Sequence, residues 1–443
     1  MTNNKQQTTN NTPFLFTFTL ALWRSRGLGI GFGALGAAIF AFATGFVTLQ
    51  DIPTAWAVVW NASFTLISLI VISLTLDEAG FFRWLALLVA RAAMGNGRVL
   101  FALVVLLGAL VSAVLTNYGT ALIWTPTVLE ILLLLGFSPR AILPFVFATG
   151  FIADAASLPL PISNLVNLLS TDILHISFLR YVLVMVPVNF LAIATSLAVF
   201  WYYFNRHIPL TYNLNRLPLP ATVIRDPLIC QWSFAILGLL FIGYWVAQAI
   251  SIPVSLITAI AAFIMLVLAL RWSNQNTHAA IPVGKVLRQA PWQIILLTPS
   301  LYLVVIGLRS TGITTVLSNQ LESLSIWGLT LSTVGIGFVA TLLSGVMNNL
   351  PTLLINAQVL QELTGIDHAV REVMVYANVI GCNIGAKITP IGSLSTLLWM
   401  NILARKGFRI SWVQYVHIAV IVTLPVLFIS LLCLAIWLPW LIA

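Results

Sequence analysis

Residues 150–167 read GFIADAASLPLPISNLVN, and residues 379–393 read VIGCNIGAKITPIGS. Each stretch lies inside an apolar run longer than one membrane crossing needs, 141–171 and 371–404, and fills its centre with Gly, Pro, Ser, Thr and Asn. At an offset of 229, Ala148, Asp154, Pro161 and Ile162 are echoed by Ala377, Asn383, Pro390 and Ile391. Upstream the offset is 232, and Trp60, Gly80, Asn117 and Thr120 return as Trp292, Gly312, Asn349 and Thr352. Polar, interrupted apolar segments at matching places in two halves point to the solute site of a secondary transporter. Unwound backbone at membrane depth is tolerated only where protein or a water-filled cavity satisfies it. Each run therefore reads as a broken helix, and the chain as two half-sites.

Composition agrees. Of 443 residues 60% are hydrophobic and 7% charged, with mean hydropathy +1.03. A soluble domain carries roughly a quarter charged residues. Apolar runs of about 20 residues, the length that crosses a hydrocarbon core, recur throughout. The alternation of an outer-membrane barrel is absent. Net charge is +9, yet Lys and Arg form no cluster of the kind that binds nucleic acid. The N-terminal MTNNKQQTTNNTP has no apolar core or cleavage site, so no removable signal peptide is expected. Cys230, Cys382 and Cys433 show no metal-ligand spacing.

The apolar pairs 98–117/119–136 and 328–348/350–361 join at TNYGT (116–120) and NNLPT (348–352), with no room for an exit loop. They read as re-entrant hairpins, 98–136 and 328–361. Placing 24–27 in the cytoplasm puts fifteen Lys or Arg inside and four outside, with Lys387 within the second broken helix. That bias obeys the positive-inside rule. It also makes the first hairpin enter from the cytoplasm and the second from outside.

The expected fold is an all-α polytopic membrane protein with two inverted-topology repeats, divided into scaffold and transport domain. It has about ten transmembrane helices, two re-entrant hairpins and two discontinuous helices. Residues 1–12 form a polar tail, 13–204 the first repeat, 205–230 a cytoplasmic linker and 231–443 the second repeat. In the segment 13–24, Pro13 to Trp23 spans about 17 Å as a helix, short of a full crossing. Residues 78–97 read as an interfacial helix with Arg83 and Arg91 on its polar face.

Candidate solute ligands in the first half are Thr116, Asn117 and Thr120 at the hairpin tip, with Ser157, Ser163 and Asn164 in the broken helix. In the second half they are Asn348, Asn349 and Thr352, then Asn383, Thr389 and Ser393. Half-helix N-termini present free N–H groups and a positive dipole end. Asn, Ser and Thr add donors and acceptors without net charge. Such a site suits a small, oxygen-rich solute. The competing account is that these small residues only allow close helix packing.

Asp154 and Lys387 are the proton-coupling candidates. A membrane-embedded ionisable residue is costly and functional by default. The alternative for this pair is a permanent tie between the two broken helices. Cys382, beside Asn383, is more simply a small buried hydrophobe than a metal ligand, so no metal and no cofactor is expected. GCNIGAKI lacks phosphate-loop spacing and a Ser or Thr after its Lys.

With RGLGIGFGALGA (26–37), VVWNAS (58–63), SLTLDEAGFF (73–82), GFIADAASLPL (150–160) and SNLVN (163–167), the chain resembles ArsB-type arsenite efflux permeases of the ion transporter superfamily. The likeness continues through GKVLRQAPWQI (284–294), YLVVIGLR (302–309), MNNLPT (347–352) and VYANVIGCNIGAKITPIGSLSTLLW (375–399). The resemblance implies export of arsenite and antimonite, as neutral hydroxides, in exchange for protons across a bacterial inner membrane. It implies an ArsA-type ATPase partner in some members and, by analogy with sodium- and dicarboxylate-carrying relatives, an elevator motion. Relatives usually carry Asp where this chain has Tyr118 and Asn383, and Pro at Ala386. Rival readings are a sodium-coupled anion symporter and a passive metalloid channel. An integral-membrane enzyme is least supported, because no nucleophile–base pair or metal cluster can be assembled.

Overall fold

A computed structural model describes residues 30–273, 281–309, 312–363 and 366–442. The tail 1–12 and the short segment 13–24 lie outside the described residues. Among those described the chain is helical, apart from one bridge between Asn96 and Thr211. The first half comprises α1 (Ile30–Ala43), α2 (Asp51–Glu78), α3 (Phe81–Ala92) and α4 (Gly97–Val114). The chain then turns back through Asn117–Gly119, a wider π-wound turn Thr120–Trp124 and α5 (Thr125–Leu134). Next come α6 (Pro139–Ala155), a short turn Pro161–Ser163, α7 (Leu165–Leu174) and α8 (Phe178–Phe204).

The second half holds α9 (Pro227–Ala249), α10 (Val254–Ser273), α11 (Val283–Gln289), α12 (Ile294–Arg309) and α13 (Ile313–Ser325). It ends with α14 (Leu329–Met347), α15 (Asn349–Glu362), α16 (His368–Asn383), the turn Gly385–Ile388, α17 (Leu394–Arg405) and α18 (Trp412–Ile442). Both long polar-centred runs are interrupted, the first between α6 and α7 and the second between α16 and α17. The helix α13 lies between the apolar segments that the sequence marks out and was not among them. ITTVLSNQLESLS is too short and polar to register as a membrane segment.

Local chemistry starts and stops these helices. The Asn96 side chain accepts from the N–H groups of Arg98 (2.9 Å) and Val99 (3.2 Å), capping α4. Asn164 caps α7 and Asp367 caps α16 in the same way. Pro139 and Pro227 open α6 and α9, where a missing N–H costs nothing. Gly80 and Gly312, 232 positions apart, both adopt left-handed φ (87° and 76°) and lead into α3 and α13.

The hairpin tips match too. Thr116 (φ 146°, ψ 158°) and Asn348 (φ 80°, ψ 154°) both occupy a backbone region that is nearly glycine-only, at a cost of about 1–3 kcal/mol each. Each repays part of that with a side-chain cap: Thr116 accepts from Gly119 N–H at 3.1 Å, Asn348 from Leu350 N–H at 3.3 Å.

Charged and linker contacts sort to two opposite faces. On one, Glu78 pairs with Lys285 and Arg225, Glu130 with Lys406, and Arg216 donates to the Leu135 carbonyl. On the other, Arg180 pairs with Glu372 and donates to the Leu441 carbonyl, and Arg309 pairs with Glu362. Helices α2, α8, α12 and α18 run between these faces. The first hairpin begins at Gly97, bonded to the linker at Leu210, and ends at Leu135, so both its ends lie on the linker face. The second ends at Glu362 on the opposite face, where Gln361 donates to Ile173. Small residues let α14 and α16 approach closely. A Cβ on Gly381 would lie 2.4 Å from the Gly337 carbonyl oxygen.

Candidate functional site

The two breaks and the two tips meet inside the protein. Asp154, the single acid of α6, is fully buried. Its Oδ1 accepts from Asn117 Nδ2 at 2.6 Å. Its Oδ2 accepts from Ser395 at 2.6 Å and Ser393 at 3.1 Å, and lies 2.5 Å from Lys387 Nζ. Lys387, 1% exposed, also donates to the Gly150 carbonyl (3.0 Å) and Thr396 Oγ1 (2.8 Å). One hairpin tip, both breaks and α17 thus converge on one carboxylate. A charge pair in so dry a place is tolerated only when its remaining valences are filled. Here both oxygens of the acid and the three donor positions of the base have partners.

A second network joins the breaks beside it. Asn164 Nδ2 donates to Asn383 Oδ1 and Asn383 Nδ2 to Asn167 Oδ1, both at 2.7 Å. Asn167 Nδ2 is held by the Ser157 (2.6 Å) and Leu160 (3.0 Å) carbonyls, which fixes its amide orientation and that of Asn383. At the second tip, Asn349 N–H bonds the Gly392 carbonyl (2.8 Å) and Asn348 Nδ2 the Ile391 carbonyl (3.0 Å). Thr389 Oγ1 donates to Gly345 at 2.6 Å. The tip of hairpin two is thereby sewn to the second break, while the tip of hairpin one is tied to Asp154.

The sequence candidates divide into two kinds. Asn117, Asp154, Asn164, Asn383, Lys387 and Ser393 bond one another across elements. Thr120, Ser163 and Thr352 spend their hydroxyls on nearby carbonyls, of Thr116, of Ser157 and Leu160, and of Asn348. Ser157 does so with Asp154 while accepting from Asn164. Cys382 Sγ lies 3.6 Å from Asn378 Oδ1, and no cluster of three metal-capable side chains occurs among the described residues. Sequence reasoning passed over Asn167, Ser395 and Thr396, which lie inside the quoted motifs SNLVN and GSLST. It also passed over the Asn356–Asn378 pair (2.7 Å).

A cavity of about 870 Å³ reaches this region from beside Ser177 and Phe178, at the start of α8. Pro161 and Ile162 of the first break line it, next to Ser163 and Asn164 of the amide network. It has room for many waters at ~30 Å³ each.

The chain has counterparts among known proteins. The family model for arsenical pump membrane proteins matches residues 11–438. An arsenical pump membrane protein of Escherichia coli is 47% identical over 422 residues, covering 95% of this chain and 97% of the relative. One of Yersinia enterocolitica is 48% identical with the same coverage. A putative arsenical pump membrane protein of Bacillus subtilis (strain 168) is 28% identical, covering 97% of this chain and 99% of that one. The fold is similar to the crystal structure of the Alcanivorax borkumensis YdaH transporter, with TM-score 0.57 at 12% identity, covering 97% and 98% of the two chains. Given a match along nearly its whole length, the chain belongs to the family of arsenical pump membrane proteins.

Proposed function

We propose that this protein exports trivalent arsenic and antimony, as neutral trihydroxides, from the bacterial cytoplasm across the inner membrane in exchange for protons. Membership of the arsenical pump family supports the cargo. The observation that carries the mechanism is the pair of adjoining polar networks, buried at mid-chain breaks and built from both halves. A neutral trihydroxide both donates and accepts hydrogen bonds. Carboxamides and hydroxyls match it, and they offer little to a dianion beside Asp154. On arrival the solute exchanges bonds with Asn117, Asn164 and Asn383 rather than adding to an empty shell.

Hairpins that enter from opposite faces support two inverted repeats. In this reading the hairpins and broken helices move as the transport domain, and α2, α9, α10 and α12 form the scaffold. The linker face, carrying Arg216, Arg225, Lys285 and Lys406, is cytoplasmic by the positive-inside rule. For Asp154 and Lys387 to act as the coupling pair they must part once per cycle, Asp154 taking a proton while Lys387 keeps Gly150 and Thr396. If they never part, the pair is a bolt between the two breaks.

The test is arsenite uptake into inverted vesicles under an imposed proton gradient. Accumulation above the outside concentration that collapses with an uncoupler supports exchange. Equilibration without accumulation would be the behaviour of a channel and would overturn the proposal. An ArsA-type ATPase would add a second energy source, so uptake that persists without ATP shows the chain acting alone.

A further inference from the structure

We propose that Asp172, rather than the Asp154–Lys387 pair, is the carboxyl group that takes the transported proton from the outer side, with Asn61 as the group that senses its charge. This rests on the exchange reading above and names the residue that couples it.

Asp172 lies on α7, the second half of the first broken helix, and lines the 870 Å³ cavity together with Asn61 of α2. Both are half-buried. Asn61 Nδ2 donates to Asp172 Oδ2 at 3.1 Å. Asn61 Oδ1 accepts from the Ser255 N–H of α10, also at 3.1 Å, which fixes the amide with its NH2 towards the acid. One asparagine therefore ties two scaffold helices to a helix of the moving part. Asp154 is shut in with a base and three hydrogen-bond donors. Asp172 lines a cavity with room for many waters and has no ion-pair partner among the described residues.

The groups around it are few. His175 follows on its own segment, and Tyr244 of α9 and Tyr302 of α12 line the same cavity. From α15 come Gln361, bonded to Ile173, and Glu362, paired with Arg309. From α16, His368, Arg371 and Glu372 line an adjoining groove of about 540 Å³ with Arg180, whose guanidinium is taken by Glu372. Of the nearby guanidinium groups, Arg180 and Arg309 are held by Glu372 and Glu362, and Arg371 donates to the Gln361 carbonyl.

A hydrogen bond to a carboxylate is roughly twice as strong as one between neutral groups. One proton taken from outside water neutralises Asp172, weakens its tie to Asn61 and frees α7 from α2 and α10. The transport domain returns inward, and the same proton leaves to the cytoplasm. In this cycle ionised Asp172 holds α7 against α2 and α10, as Asn61 ties them here, until that proton arrives.

The experiment uses the full-length protein in inverted vesicles, where the lumen is the outer side. In the parent protein, arsenite uptake should rise about tenfold per unit of lumenal acidification along its titrating limb. Asp172→Asn should flatten that dependence to less than about twofold while arsenite still equilibrates, because the neutral amide mimics the protonated acid. Asn61→Ala should flatten it too, and Asp172→Glu should keep the slope with a displaced midpoint. If Asp172→Asn fails to reach the membrane, the Asn61→Ala and Asp172→Glu profiles decide alone. A parent-like lumenal profile in Asp172→Asn or Asn61→Ala overturns the inference and returns coupling to Asp154. Absence of uptake by the parent protein overturns the exchange reading itself.

Discussion

Lys387 Nζ lies 2.5 Å from Asp154 Oδ2, so a base from the second half of the chain and an acid from the first close a single buried pair. Around it, Asn117, Ser393 and Ser395 complete the acid's shell, and Gly150 and Thr396 that of the base.

Removing one member of such a pair leaves an uncompensated charge. Asp154→Asn and Lys387→Met should each lower stability by about 3–5 kcal/mol and abolish arsenite transport in every mode. The double variant Asp154→Asn/Lys387→Met should recover much of the stability. Thermal unfolding in detergent measures the first claim and the recovery; equal loss in single and double variants would contradict it.

The amide chain Asn164–Asn383–Asn167 has one direction. Asn383→Asp replaces the donor facing Asn167 Oδ1 by an acceptor, and Asn167 cannot turn without abandoning the Ser157 and Leu160 carbonyls. The expected cost is about 1–3 kcal/mol or more, with transport reduced. A second change, Asn167→Asp, should not rescue it, whereas Asn383→Gln should be milder than Asn383→Asp in a vesicle uptake assay.

At the hairpin tips, Thr116 and Asn348 pay for a conformation that glycine adopts freely. Thr116→Gly should relieve about 1–3 kcal/mol of strain while losing a cap worth about 1. Thr116→Ala keeps the strain and loses the cap. Glycine should therefore be better tolerated than alanine at position 116, read as the order of melting temperatures. The reverse order would remove the strain argument.

Opposite hairpin faces make a labelling prediction. In a cysteine-free background, Arg140→Cys beside the first hairpin should react with a membrane-impermeant thiol reagent only in inverted vesicles. Asp367→Cys beside the second should react only in intact spheroplasts. Labelling of both from one side would refute the opposed arrangement.

The interruptions of the two long apolar runs and the tight turns between paired apolar segments were legible because hydropathy and punctuation encode them directly. GFIADAASLPLPISN stops and restarts a helix by composition alone, and TNYGT leaves no length for a loop. The partners of Asp154 were only half legible. Lys387 stood out as the ionisable residue in the opposing break, but Ser395 and Thr396 look like ordinary small residues of an apolar helix until the fold brings them round. Asp172 was passed over because it sits near the end of its segment, where an acid normally meets water. Its tie to Asn61, 111 positions away, is a property of packing between α2 and α7 and leaves no local trace. The helix α13 was hidden for a similar reason, although the echo of Gly80 by Gly312 marked where it would begin.

Because the buried acid and its base come from different halves, neither half is electrically complete by itself. A polypeptide stopped within the linker would leave Asp154 in the lipid interior with only Asn117 for company. Such a fragment should be short-lived when expressed alone and rescued by supplying residues 231–443 as a separate chain. In that sense the ion pair works as a checkpoint on biosynthesis: the first half becomes a comfortable membrane resident only once translation has delivered the second.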